Sequence, residues 1–280
     1  MDSYIWVDGN DVEHTIYISG VEGDLYVESE AGWDDSFIEL HIEDSPNRFS
    51  SHYRGFSYRP RDYVLTVTIL KDTPEDLKRA KADWKSWHNR ELDEGYIKRS
   101  YTDDAGTIVV RCLDCIPGQA KWTQLAPSAA RVVQHYTAAW SFWRDASATT
   151  ANDTMNDAVS VNISCANDGD IPAPIVATYT GICHTPKLTN SDGDYLELKK
   201  ATVNADDELI ADTRFRGDTR RDNYFLEHGA GAGDPVTASS GSKPIALPRG
   251  AYNLAVVGAA GETSSAAIVI SWHNYYAGLY

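Results

Sequence analysis

Apolar and polar residues alternate along much of this chain with a period of two, the spacing of a strand that has one buried and one wet face. Ile38-Glu39-Leu40-His41-Ile42-Glu43 is the cleanest instance, and residues 15–18 and 25–27 repeat it more weakly. Residues 64–70 (VLTVTIL) form an apolar, β-branched run, which predicts a central strand. Further strands are predicted at 108–113 and 132–143.

The period changes to that of a helix at Thr73. Thr73 is suited to the N-cap and Pro74 to the first helical position, while Glu75 and Asp76 set carboxylates where the helix dipole favours them. Leu77, Ala80, Trp84 and Trp87 then recur at steps of three and four, so a helix over 74–89 packs one face on a sheet. Trp84 and Trp87 could form an aromatic surface site, but Lys78, Arg79, Lys81, Asp83 and Lys85 already supply the polar face, which favours core packing.

Residues 145–158 (DASATTANDTMNDA) are small and polar without periodicity, so 147–158 reads as a linker or a long crossing loop. Short strands follow, VSVNIS, IVATYT, YLELKK, ELIADT, NYFLEH, YNLAVV and AIVISW, with Gly, Pro, Asn or Asp between them. No helical period interrupts them, which predicts a β-sandwich or jelly roll. The fold class expected is therefore mainly β, with two β-sandwich domains at 1–146 and 159–280 and the helix packed in the first. A chain of 280 residues is long enough for each domain to bury its own core.

Composition narrows the function classes. With 42% hydrophobic and 24% charged residues the chain is of ordinary globular type, and its 8 Trp and 16 Tyr suit cores, subunit interfaces and sugar platforms alike. The net charge is −16, shared between residues 1–146 (16 basic, 25 acidic, net −9) and the remainder (9 and 16, net −7). Gripping phosphates needs clustered cations, so nucleic-acid binding is disfavoured. An acidic wall would instead let DNA slide past, although solubility explains the same charge equally well. No leader peptide and no run of about 18 apolar residues is visible, so folding in the cytoplasm without a membrane anchor is expected.

Candidate chemistry is sparse. Cys112 and Cys115 have the gap of a zinc knuckle but no second pair follows, and Cys165 and Cys183 lack near partners, so all four read as buried small hydrophobes. On a strand, Cys112 and Cys115 would point to opposite faces. GAGAGD (229–234) ends in Asp where a dinucleotide loop needs Gly, and NSDGD (190–194) lacks the closing Glu of a calcium loop and reads as a hairpin turn, as does 167–170. Asp212 is the most tempting carboxylate, yet no partner is singled out among 41 acidic residues. No nucleophile elbow, His-Glu-x-x-His or P-loop occurs, so no catalytic residue, metal or cofactor is expected.

Arginines cluster in two places, Arg54, Arg59 and Arg61 before the central strand and Arg214, Arg216, Arg220 and Arg221 after IADT. A planar guanidinium suits carboxylate pairing between acidic neighbours, which makes these interface candidates; the bland alternative is a solvated loop face.

Residues 167–280, with the entry NDGDIPAP, the strand ELIADT, the turn and strand LPRGAYNLAVV and the final AAIVISWHNYY, resemble the C-terminal domain of distal tail proteins of long-tailed phages. Residues 53–87 (YRGFSYRPRDYVLTVTILKDTPEDLKRAKADWKSW) are similar to that family's N-terminal core. The resemblance implies a virion protein of the tail tip whose first domain closes a ring, six-membered in the family, on the last ring of the tail tube. It further implies a galectin-like outer domain, contacts with tail-tip hub and tape measure proteins, a lumen for DNA and no catalysis. Larger relatives carry an inserted receptor-binding module for which this chain has no room. The rival expectation is a carbohydrate-binding module using Trp272, Tyr275 and Tyr276 at the end of the last strand.

Overall fold

The computed structural model describes residues 2–19, 23–32, 38–44, 51–92, 94–155, 160–199, 201–202, 207–213, 224–228, 234–235, 238–258 and 265–277. The chain is mainly β, built of antiparallel sheets with one α-helix among the described residues. It divides into two compact units, Met1–Ala146 with Tyr276–Tyr280, and Ser147–Tyr275.

The first unit runs β1 (Ser3–Val7), β2 (Glu13–Ile18), β3 (Leu25–Ala31), β4 (Ile38–Asp44), β5 (Ser51–Tyr58), β6 (Arg61–Leu70), α1 (Pro74–Trp87), β7 (Gly95–Thr102), β8 (Ile108–Pro117), β9 (Lys121–Ala126), β10 (Ala129–Ala138) and β11 (Trp143–Asp145). Its main sheet has the order β2-β1-β7-β8-β10-β6-β3, with β9 beside β10, β11 beside β8, and the chain's last strand beside β11. Strands β4 and β5 pair with each other in a separate two-stranded sheet.

Alternation explains the core. Tyr63, Leu65, Val67 and Ile69 on β6 are buried, and the register sets them against Tyr136, Gln134, Val132 and Ala130 of β10. From the other half of the sheet Tyr4, Trp6, Ile97, Leu113 and Cys115 enter the same cluster. Burying each large apolar side chain stabilises by about 1.5–3 kcal/mol, so this one cluster dominates the unit's energetics. Gly95 opens β7 where no side chain fits: a Cβ there would lie 2.3 Å from the Val7 carbonyl oxygen and 2.7 Å from the Trp6 ring.

Helix α1 closes the core as its spacing predicts, with Leu77 and Trp84 buried and Ala80 and Trp87 packed on the cluster. The Thr73 hydroxyl accepts from the Asp76 amide at 3.1 Å. The helix ends at Trp87, two residues before the expected 89, because His88 takes the C-cap and its backbone N–H turns back to the Ser86 and Trp84 carbonyls.

The second unit runs β12 (Thr149–Thr154), β13 (Ser160–Asn167), β14 (Ala173–His184), β15 (Lys187–Thr189), β16 (Tyr195–Glu197), β17 (Ala201–Thr202), β18 (Asp207–Asp212), β19 (Tyr224–His228), β20 (Asp234–Pro235), β21 (Ala246–Leu247), β22 (Gly250–Val257) and β23 (Ser265–Trp272), and the last strand, β24 (Tyr275–Tyr276), belongs with the first unit's sheet. One sheet has the order β12-β23-β14-β18-β19-β20, with β17 and β21 also on β14; the other is β13-β22-β15-β16. Each has a dry face, visible in Ala266, Ile268, Ile270 and Trp272 along β23 and in Ile163 and Cys165 along β13.

Two boundaries differ from expectation. Residues 149–154, expected in a linker, form β12 and pair with β23 from Thr149↔Trp272 to Thr154↔Ala267. The last residues, expected in the second domain, group with the first unit from Tyr276 onward. The turn expected at 190–194 is present: the Asn190 Oδ1 accepts from the Asp192 and Asp194 amides, and Gly193 takes φ +82 between β15 and β16. In the 167–170 turn, buried Asn167 accepts from the Gly169 amide and donates to the Ile171 and Leu247 carbonyls.

Candidate functional site

The arginines expected at interfaces have separate fates. Arg61 is buried at 4% exposure, and its Nη2 donates to the Ala277 carbonyl at 2.6 Å, so it braces the returning chain end instead of presenting a cation outward. Arg59 is exposed. Arg54 falls in β5, where its side chain lies outside the described residues, as do Arg214, Arg216, Arg220 and Arg221 entirely. The 229–233 part of the GAGAGD loop is also outside them.

Other arginines of the first unit pair within the chain. Arg144 forks onto Asp114, with Nε donating to Oδ2 at 2.8 Å and Nη2 to Oδ1 at 2.7 Å, and lies over the Tyr96 ring at 5.0 Å. Arg99 reaches Glu30 at 3.1 Å and the Tyr4 hydroxyl at 3.3 Å, while Tyr63 donates to the same carboxylate. Burial, opposed by Arg99 and helped by Glu30, pushes the Tyr4 phenol up to about 12. Arg111 pairs with Asp145 and stacks on Tyr276 at 3.9 Å.

A buried polar constellation lies under α1, beside a cleft of about 370 Å³ lined by Trp84, Lys85, His88, Gly118, Gln119 and Gln134 among others. His88 Nδ1 is 2.9 Å from the Trp84 carbonyl, which can only accept, so that nitrogen carries the proton and Nε2 accepts from the Tyr136 hydroxyl at 2.8 Å. Burial holds the His88 imidazole down at about 4. Gln134 accepts from the Trp84 indole at 3.1 Å and donates to the Gly118 and His135 carbonyls. Every polar group in this set is engaged, so His88, Tyr136 and Gln134 hold the helix end against the sheet. Nearby, His14 meets Asp8 at 3.0 Å and stacks on Trp87 at 4.9 Å; burial pushes the Asp8 carboxyl up, but the His14 contact and the Val12 and Asn10 amides outweigh it and the net shift is downward.

All four cysteines are buried as free thiols, and burial raises Cys112 and Cys165 to about 11 and Cys115 well above its ordinary value, leaving protonated thiols that are poor ligands and poor nucleophiles. Among the described residues no group of three or more His, Cys, Asp or Glu is placed to hold a metal ion. Asp212 is buried at the end of β18.

Two of the three aromatics of the glycan expectation are buried. Trp272 and Tyr275 are 3% and 4% exposed, and Tyr276 is half-buried under Arg111. In the sequence their packing and platform readings are indistinguishable. The buried Arg61 and the Arg111–Tyr276 stack escaped sequence reasoning because their partners are far away in the chain.

What the geometry defines is an assembly of braced β-sheets with internal ion pairs, and its fold is one found among proteins of phage tail tips. The Dit protein of phage SPP1, described as a paradigm of the hub adsorption apparatus in phages infecting Gram-positive bacteria, superimposes with a TM-score of 0.62 at 12% identity, over 98% of this chain and 99% of that one. Chains of the phage P2 baseplate in its activated conformation match at TM-scores of 0.56 (with Ca) and 0.55 (with Sr), at 8% and 9% identity, over 98% and 97% of this chain and 98% of each of those. Identities this low establish a shared fold. No family model and no curated protein matches the sequence.

Proposed function

We propose that this chain is a structural virion protein of a phage tail tip, a distal tail protein whose copies close into a ring, six-membered by analogy, between the tail tube and the baseplate. The observation that carries the reading is the fold likeness to SPP1 Dit over both units and nearly the full length of each chain. In this reading the first unit builds the ring, the second is an outward galectin-like β-sandwich, and the partners are tail tube, hub and tape measure proteins. The lumen passes DNA without gripping it, in keeping with a net charge of −16. The work is geometric and non-catalytic, since copies related by a fixed rotation close a ring through head-to-tail contacts.

Mass in solution by light scattering, with negative-stain images of the same sample, tests this. Closed rings with a central hole are expected; a chain that stays monomeric alone and fails to bind purified tail tubes refutes it. The glycan-binding alternative draws no support from Trp272 and Tyr275, which are buried.

A further inference from the structure

Helix α1 carries charges of opposite sign on its two flanks. Leu77, Trp84 and the packed Ala80 and Trp87 define its inner face. At 3.6 residues per turn, Lys78, Lys81 and Lys85 then fall on one side of that face and Asp76 and Asp83 on the other, their mean directions roughly 180° apart. Contacts agree with this projection. Lys81 donates to the Gln124 side chain of β9 at 2.6 Å and lies over the Trp122 ring, and Lys85 lines the 370 Å³ cleft with Gln119, so the lysines lean toward β9. Asp76 and Asp83 instead share a second cleft, of about 270 Å³, with Asp24 and Asp72, beside the start of β3 and the end of β6.

Charge remains uncompensated on both flanks. Lys71 pairs with Asp24, and Arg79 with Asp76 at 3.5 Å, so the second cleft holds four carboxylates against two cations. Among the described residues Asp72 and Asp83 form no ion pair, and neither do Lys78, Lys85 or Lys121 at the start of β9. All five are exposed. Lysines standing unpaired are unexpected where acidic residues outnumber basic ones 41 to 25. Beside them the outer edge of β9 also pairs with no strand among the described residues, so charge and backbone on this side both lack a partner.

We propose that the lysine flank of α1 in one copy docks against the acidic flank of α1 in the next; the proposal rests on the ring reading and names a junction that closes it. Charge complementarity identifies the occupant: the lysine flank calls for an acidic surface, and every neighbour in a ring of identical chains presents one. Two different surfaces on opposite sides of one helix make the contact heterologous, as head-to-tail closure requires. Exposed ion pairs add little affinity singly, whereas like charges brought together are strongly unfavourable, so the flanks decide which surfaces meet and in what register.

The test reverses charge at four of these exposed, unpaired side chains, in full-length chains checked for a wild-type melting profile and sized by light scattering. One variant carries Lys78→Glu and Lys85→Glu, a second Asp72→Lys and Asp83→Lys, and a third all four. The first has two acidic flanks and the second two basic ones, so each alone is expected as a monomer. The third has its signs exchanged and is expected to regain the ring, as is an equimolar mixture of the first two, which closes only by alternation. Reversals that keep the wild-type mass overturn the helix contact and leave the ring reading standing; so does a loss of the ring that neither the third variant nor the mixture restores. A wild type that is monomeric in solution overturns the contact as sufficient for closure, while the ring reading then turns on binding to tail tubes. Should a reversed chain fail to fold, zero-length carbodiimide coupling of the wild-type ring decides: amide links from Lys78 or Lys85 to Asp72 or Asp83 of another copy are expected, and links confined to other residues overturn the contact.

Discussion

The guanidinium of Arg61 donates to the carbonyl of Ala277, joining the first residue of the first unit's central strand to a chain end 216 positions away. Tyr276, one residue earlier, lies under Arg111 and donates to Asp145 at 3.4 Å. The terminal residues are thus part of the first unit's fold. Removing residues 276–280 is expected to lower its stability by about 1–3 kcal/mol, the cost of orphaning buried hydrogen-bonding groups. Thermal unfolding of the truncated chain checks this, and an unchanged transition would show the tail to be dispensable.

Stability should depend on pH through His88. Its folded pKa of about 4 is below the ordinary 6.5, so the folded state favours the neutral ring; the stabilisation is complete above pH 6.5 and is lost as pH falls from 6.5 toward 4. The difference corresponds to roughly 3 kcal/mol over that window. Denaturant titrations of wild type and His88→Gln at pH 7 and pH 4.5 should show a smaller pH loss in the variant, whatever its absolute stability. Equal losses would exclude His88 as the source.

Gly95→Ala should be strongly destabilising although alanine suits strands and helices better than glycine does. The new methyl would meet the Val7 carbonyl oxygen at 2.3 Å and the Trp6 ring at 2.7 Å, and overpacking of this kind costs typically 1–3 kcal/mol. Gly106→Ala is the control for a surface turn: nothing lies within 4 Å of its Cβ, though its φ of +81 carries a smaller strain. Chemical denaturation should rank wild type, Gly106→Ala and Gly95→Ala in that order, and an inversion of the variants would contradict the packing.

A thiol reagent should find no reactive cysteine in the native protein at neutral pH and four after denaturation. Cys112, Cys115, Cys165 and Cys183 are all buried, and the thiolate needed for attack is suppressed where burial raises the pKa. Rapid native labelling of even one thiol would mean that its strand opens readily.

Strands were legible wherever burial alternates, as along β6 and β23, because the period of two is written in the residues themselves. The helix was legible for the same reason, with Thr73 and Pro74 marking its start. β12 was not: Thr149–Thr154 is polar and mostly exposed, and what makes it a strand is backbone pairing to β23, more than a hundred residues later. The burial of Arg61 was illegible on similar grounds, since its acceptor is remote.

The sequence by itself determined the class of fold, the placement of the helix and the acidity of both halves, because periodicity, capping and charge are local or additive properties. Only the tertiary structure decided which aromatics and arginines are buried, where the chain end belongs, and that β4 and β5 pair in a sheet of their own. Those are outcomes of which distant segments meet, and pairing between remote strands leaves no mark in any window of residues.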